Sequence, residues 1–318
     1  MPYTIDYYIN QLHNIALDFE MNRGILDIFT NSKIYEVVIS EQLDHHIING
    51  HAHTFDAVDS DGQIFEYKHF KLSSSNHTWT FNDFSSLTIN HLRRIDYVIF
   101  AIIDDFQEVP VLTQYYSVPA IDVSDYLIEN TPSIRNTRSM INISPHQIEH
   151  ILFQSPIYVD AFYNSALLRR TFHIASELTR LTGVDNVLTS NKLWELLVSI
   201  ELGHSINPEQ KKHDATDMYG NTYEYKVSVR RSWSFQDISD NVLSGYLDDT
   251  SIILATVDKK TFSVLHIYEC SPQAIVRILI DKLEYSYSHK AHITRRFESI
   301  GVRDLNNLLS SGNARIVI

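Results

Sequence analysis

The chain has 318 residues, 44% of them hydrophobic and 20% charged, with a formal net charge of −13 and one cysteine. No low-complexity tract, no long Gly/Pro/Ser-rich linker, no apolar run near the eighteen residues of a membrane span and no basic-then-apolar leader at Met1-Pro2-Tyr3-Thr4-Ile5-Asp6 is present; these absences predict a soluble, cytoplasmic protein with no membrane partner. A single cysteine excludes an internal disulfide and a cysteine-rich zinc site, and the place of Cys270 in the apolar run 264–270 predicts a packed strand residue rather than a nucleophile.

In chain order, Ile34, Val37, Val38 and Leu43 recur at helical spacing over 33–47, with Asn31 or Ser32 as N-cap. A strand over 54–58, the polar turn Asp59-Ser60-Asp61-Gly62 and a strand over 63–72 predict a hairpin. A crossover helix over 84–92 and strands near 97–103 and 109–116 follow, and a final pair of helices closes the half. The second half repeats the order from a helix over 192–202. There Ser271-Pro272, a cap followed by a proline suited to the first turn, opens a helix through 283. Each half thus reads as α/β, a sandwich around a small mixed sheet.

The two halves are copies. The segment from Asp56 to Lys68 (DAVDSDGQIFEYK) aligns without gaps on the segment from Asp214 to Lys226 (DATDMYGNTYEYK), with seven of thirteen positions identical. Upstream, Ser32-Lys33-Ile34-Tyr35-Glu36 matches Asn191-Lys192-Leu193-Trp194-Glu195. Downstream, Trp79-Thr80-Phe81 matches Trp233-Ser234-Phe235, the run 97–104 matches 251–258, and 143–148 loosely matches 300–305. The offset stays between 154 and 159 residues, half the chain, so the repeat unit is a whole domain and two domains, 1–159 and 160–318, are predicted.

Residues two apart on a strand share a face, so Glu66 projects with Lys68 and Glu224 with Lys226, while Phe65 and Tyr67 turn to the core. Asp56 and Asp214, on the preceding strand, can bring their carboxylates beside these glutamates, and paired carboxylates with open water positions suit Mg²⁺. Glu36 and Glu195 would join from the packed helix. This order, helix Glu, then Asp, then Glu-x-Lys on a hairpin, resembles the PD-(D/E)xK nuclease superfamily, which includes many type II restriction endonucleases. The resemblance covers roughly 30–116 and 190–270, and it departs from the family at the position before the aspartate, where Phe55 and His213 replace proline. It implies two tandem restriction-endonuclease-like α/β/α domains and hydrolysis of double-stranded DNA to 5′-phosphate ends. It also implies catalytic Glu36, Asp56, Glu66, Lys68, Glu195, Asp214, Glu224 and Lys226, and Mg²⁺, replaceable by Mn²⁺, on Asp56, Glu66, Asp214 and Glu224.

Asp, nine residues, Glu-x-Lys occurs by chance in many proteins, so its recurrence inside a diverged repeat carries the weight. The structural alternatives are solvated Glu-Lys pairs, a plain hairpin turn at Asp59 to Gly62, and exposed helix positions at Glu36 and Glu195. His45, His46, His51 and His53 are crowded, but only His204 and His213 fall in the matching region, which favours scattered loop histidines over a metal site. Trp79 and Trp233 are expected as packed aromatics at the start of the crossover helix rather than base-stacking platforms.

Charge divides unevenly: residues 1–160 hold 8 Lys and Arg against 21 Asp and Glu, whereas 161–318 hold 18 against 18. A polyanion should therefore be gripped more by the second half. Candidate DNA contacts are Lys71, Arg93, Arg94, Arg138, Lys211, Lys212, Arg230, Arg231, Arg295 and Arg296, with ordinary solvent-facing charge as the alternative for each. The first half also has four extra residues between Lys68 and Trp79, against Lys226 to Trp233, and so a different loop, Ser73-Ser74-Ser75-Asn76-His77. The expectation is a pseudo-dimer in one chain, active as a monomer, with one site per strand and a companion DNA methyltransferase in the same system. A structure-specific repair or recombination nuclease and a non-catalytic DNA-binding protein on a nuclease fold are the rivals.

Overall fold

A computed structural model describes residues 4–48, 55–82, 86–131, 140–160, 165–208, 212–289 and 296–318. The first series of elements is α1 (Ile5–Arg23), α2 (Lys33–Leu43), β1 (His46–Ile47), β2 (Ala57–Val58), β3 (Ile64–Lys71), β4 (Trp79–Phe81), α3 (Ser86–Leu92), β5 (Tyr97–Asp104), β6 (Val111–Pro119), α4 (Ala120–Asn130), β7 (Ile141–Ile143), α5 (Pro145–His150) and β8 (Ile157–Tyr158). The second is α6 (Ala166–Thr182), α7 (Lys192–Leu202), β9 (Ser205–Ile206), β10 (Ala215–Thr216), β11 (Thr222–Ser228), β12 (Ser232–Phe235), α8 (Asp240–Asp248), β13 (Ser251–Asp258), β14 (Ser263–Cys270), α9 (Pro272–His289), β15 (Glu298–Gly301), α10 (Val302–Ser310) and β16 (Ala314–Ile316). Every element of one series has its counterpart, in order, in the other.

The sheets repeat as well. One has the order β1-β2-β3-β5-β6-β8 and the other β9-β10-β11-β13-β14-β16, while β4 pairs with β7 and β12 with β15. Among the described pairs β3–β5 and β11–β13 are parallel and the rest antiparallel, so both are mixed sheets flanked by helices: two tandem α/β domains. Each core is centred on a fully buried tryptophan whose indole N–H would be costly to leave unpaired. Trp79 donates to the Ala101 carbonyl at 2.9 Å, and Trp233 to that of Ala255 at 2.8 Å.

The compact units are Ile15–Ile28 with Ser32–Ile174, and Met1–Asn14 with Phe29–Asn31 and Ala175–Ile318. Within the latter, Tyr8 donates to Glu177 at 3.0 Å and Lys259 to Thr30 at 2.9 Å. Phe262 lies between the rings of His13, Phe29 and Trp194, with centroids 4.9, 6.3 and 5.0 Å away.

Several sequence expectations shift. The helix predicted over 33–47 ends at Leu43, because Asp44 turns left-handed (φ 57°), and His46–Ile47 becomes a strand. Ser32 holds the N-cap place but is itself left-handed and gives no side-chain cap. The strand predicted over 109–116 runs over Val111–Pro119, and the helix from Pro272 continues to His289. Of the strand expected over 54–58, Ala57–Val58 are strand while Phe55 and Asp56 are not, and the crossover helix is described over Ser86–Leu92. Trp79 and Trp233 sit on strands, not at a helix start, and are buried as packed aromatics. Cys270 is a buried strand residue, as expected. Among the described residues no helix is long and apolar enough to cross a membrane.

Candidate active sites

The hairpin fixes the aspartate first. Asp56 N–H donates to the Phe65 carbonyl at 2.9 Å, and its Oδ2 accepts the Tyr67 N–H at 2.7 Å; Asp214 does the same with Tyr223 and Tyr225 at 2.9 and 2.7 Å. One carboxylate oxygen thus extends the backbone ladder onto the residue between Glu and Lys. The turn that makes this possible is also duplicated. Asp59 Oδ1 accepts from Asp61 and Gln63, Asp217 Oδ1 from Tyr219 and Asn221, and Gly62 and Gly220 supply φ of 81° and 85°. The matched Asp-x-x-Gly is therefore turn chemistry, separate from the site.

Next on the face come the glutamate and lysine. Lys68 Nζ donates to Glu66 Oε1 at 2.5 Å and lies 5.3 Å from the Phe81 ring centre. Lys226 donates to Glu224 and lies 5.5 and 5.4 Å from the rings of Phe235 and Tyr246. Glu66 and Lys68 are 16% and 23% exposed, Glu224 and Lys226 14% and 20%, which rules out simple solvated pairs.

The electrostatics mark these as clusters. Burial, then Glu66, then Glu36 push Asp56 well above the ordinary aspartate value, and burial, Glu224 and Glu195 do the same to Asp214. Burial also raises Glu36, against the pull of Lys33 and Lys68. Burial would raise Glu66 too, but Lys68 and His91 overcome it and hold it at about 2. Burial disfavours the Lys68 charge, yet Glu66 and Asp56 outweigh it and raise its pKa; Lys226 is raised likewise, against burial, by Glu224, Tyr246 and Asp214. All four predicted residues of each set are brought together.

Three half-buried carboxylates around one ammonium leave a deficit of positive charge, which is what a divalent cation would supply. Among the described residues no group of three or more His, Cys, Asp or Glu side chains is placed to hold a metal. A metal would rest on two carboxylates, Asp56 with Glu66 or Asp214 with Glu224, and draw its other oxygens from backbone, water and substrate, as Mg²⁺ tolerates.

Several residues at these sites do not announce themselves in the sequence. His91 Nε2, from α3, stands 3.5 Å from Glu66 Oε2, whereas Tyr246, from α8, faces Lys226. His45 and His204 are equivalent after all. Each stacks on the first aromatic of its strand, Phe65 or Tyr223, and each Nδ1 pairs at 2.8 Å with the hydroxyl of Tyr67 or Tyr225. Burial lowers both histidines and raises both tyrosines, which favours the uncharged form of each partner in the pair. His213, directly before Asp214, pairs with buried Asp249 at 2.7 Å.

The candidate DNA contacts separate. Arg230 and Arg231 are exposed on the short β11–β12 connection, where Arg231 reaches His266 at 2.7 Å. Arg94 and Lys212 are exposed. Lys71 is drawn to Asp105 at 3.6 Å, Arg93 is held by Ser124 and Asp125 at 3.2 Å, and Arg296 donates to the Ile238 carbonyl at 3.3 Å. Arg138, Lys211 and Arg295, like His51 and His53, lie outside the described residues.

Beside Lys226 a cavity of about 420 Å³ is lined by Asn191, Glu195, Ser228, Ser232, Ser234 and Gln236, among others. Comparison with known proteins gives no matching family model and no matching curated relative.

Proposed function

We propose that the chain is a Mg²⁺-dependent, sequence-specific DNA endonuclease of the type II restriction kind, one chain acting as a pseudo-dimer with one site per strand. The observation that carries this reading is the duplication of a whole bonded constellation: the same elements, the same aspartate-to-backbone bond, the same Glu–Lys pair and the same like-charge coupling occur in both units.

A divalent ion held by the two carboxylates would polarise a phosphoryl oxygen and help deprotonate water. The protein supplies the rest. Lys68 and Lys226, kept cationic by their neighbouring carboxylates, stabilise negative charge developing on the phosphate rather than remove protons. Glu36 and Glu195 complete the acidic ring that favours a cation, and the Asp–backbone bonds hold the ring rigid without cost at the moment of reaction.

The test is cleavage of phage and plasmid DNA with Mg²⁺ or with EDTA, resolved on a gel. Discrete Mg²⁺-dependent fragments are expected, and Glu66→Ala or Glu224→Ala alone should leave a nickase. A single mutant that still linearises plasmid at the full rate overturns the one-site-per-strand arrangement. Intact linear and supercoiled DNA, with cleavage only of branched substrates, would point to a structure-specific nuclease. Carboxylate-dependent metal binding absent from calorimetry would point to a non-catalytic DNA-binding role.

A further inference from the structure

On the strand that carries Glu-x-Lys, the residue two past the lysine shares its face. It is Phe70 in β3 and Ser228 in β11. The sheet registers make them equivalent: Phe65 pairs with Tyr97 and Phe70 with Ile102, Tyr223 with Ser251 and Ser228 with Thr256.

The two positions are built differently. Phe70 is 7% exposed, packs on Trp79 with centroids 4.9 Å apart, and is stacked by His77 at 5.4 Å. His77 belongs to the connection that is four residues longer in the first half, so the extra residues return a ring over Phe70. Ser228 instead lines the cavity beside Lys226 together with Asn191, Ser232, Ser234, Gln236 and Tyr246. Its volume, about 420 Å³, falls within the roughly 300–1,000 Å³ of small-molecule sites. Hydroxyls and amides beside the Lys226 ammonium suit a sugar-phosphate: they donate to phosphate oxygens and accept from sugar or base, while the Glu195 carboxylate on the same lining offers an acceptor to a sugar or base donor rather than to the phosphate.

We propose that only the second unit holds a nucleotide beside its lysine, in the polar cavity around Ser228, and that the aromatic pair Phe70–His77 closes the same place in the first, so that the second unit engages and cuts its strand first. This rests on the endonuclease reading and adds an inequality to it. The exposed pair Arg230-Arg231 lies between cavity residues Ser228 and Ser232, which places cationic side chains on the chain segment bordering the cavity.

The experiment is calorimetric titration of the full chain with the dinucleotide pTpT in Ca²⁺ buffer, beside a Mg²⁺ plasmid-cleavage assay. One equivalent of pTpT per chain is expected, with affinity falling at least tenfold in Ser228→Phe, which installs the first unit's residue. Gln236→Ala, on another wall of the cavity, should weaken binding in the same direction and guards against a misfolded Ser228→Phe. In plasmid cleavage, nicked circles should accumulate before linear product. Two equivalents per chain, or full affinity in both variants, overturns the proposal. Wild-type protein that cuts plasmid yet binds no pTpT overturns this inference alone; protein that neither cuts nor binds overturns the endonuclease reading with it.

Discussion

At Asp56 and Glu66, neighbouring carboxylates are driven in opposite directions, and the signs of their effects on stability differ accordingly. Asp56 is raised, so the folded state holds its proton more tightly than the unfolded chain, and ionising it costs stability as pH climbs from about 4 through the raised value. Asp56→Asn keeps an oxygen for the Tyr67 N–H and removes that cost. The melting temperature in metal-free buffer should rise by a few degrees at pH 8, with the gain shrinking toward pH 4. Glu66, held at about 2, stabilises the fold above the ordinary glutamate value of 4.5 and loses that contribution as pH falls through about 2. Glu66→Gln should therefore lower the melting temperature at pH 8. Scanning calorimetry from pH 4 to 8 checks both; a gain for Asp56→Asn that grows in acid would contradict the like-charge cluster. The eight candidate catalytic residues were legible because the halves agree at them. His91, Tyr246 and the Phe70–Ser228 exchange were not, since comparing the halves for identity is blind where they differ, and a crossover helix delivers its side chains through tertiary packing that spacing does not encode.

At the scale of elements, the hairpin turn is the most exacting piece. Gly62 and Gly220 have φ of 81° and 85°, and a Cβ at either would meet nothing within 4 Å. The cost of Gly62→Ala or Gly220→Ala is then backbone alone, roughly 1–2 kcal/mol, measurable as a lower urea midpoint with unchanged slope. A neutral result would mean the turn relaxes to another type. These turns could be read directly, because Asp-x-x-Gly between apolar runs states its own geometry. The two-residue strands β1 and β9 could not, for they are shorter than any period. The end of α2 was misplaced for a related reason: Ile47 and Ile48 extend the apolar pattern past the left-handed Asp44 that stops the helix.

For the whole molecule, the uneven charge becomes a statement about salt. Arg230 and Arg231 are exposed in the half with no net charge, whereas Lys71, in the half at −13, is held by Asp105 and the Tyr35 ring. If each arginine neutralises one phosphate, Arg230→Ala with Arg231→Ala should flatten the slope of log affinity against log salt by about 2, and Lys71→Ala should leave it nearly unchanged. Fluorescence anisotropy on a labelled duplex in Ca²⁺ buffer measures both; a larger loss from Lys71→Ala would reverse the assignment. The gross architecture was legible since a repeat at half the chain length leaves little choice of organisation. The divided membership of α1, with Ile5–Asn14 in one unit and Ile15–Arg23 in the other, was not, because no periodicity says which core each turn of a helix will join.

That membership bears on synthesis. The unit that holds the polar cavity gathers Met1–Asn14 and Phe29–Asn31 with Ala175–Ile318, while residues 32–174 intervene. A chain emerging from the ribosome can close the other unit long before the cavity-bearing one has its later segment. The cavity-bearing unit is therefore completed after the other, and Phe29 and His13 must wait until Phe262 has been made before it can pack against them. Severing the peptide near residue 32 would take Ile15–Ile28 from one unit as well as Met1–Asn14 and Phe29–Asn31 from the other, and a fragment of residues 1–31 supplied separately should restore both.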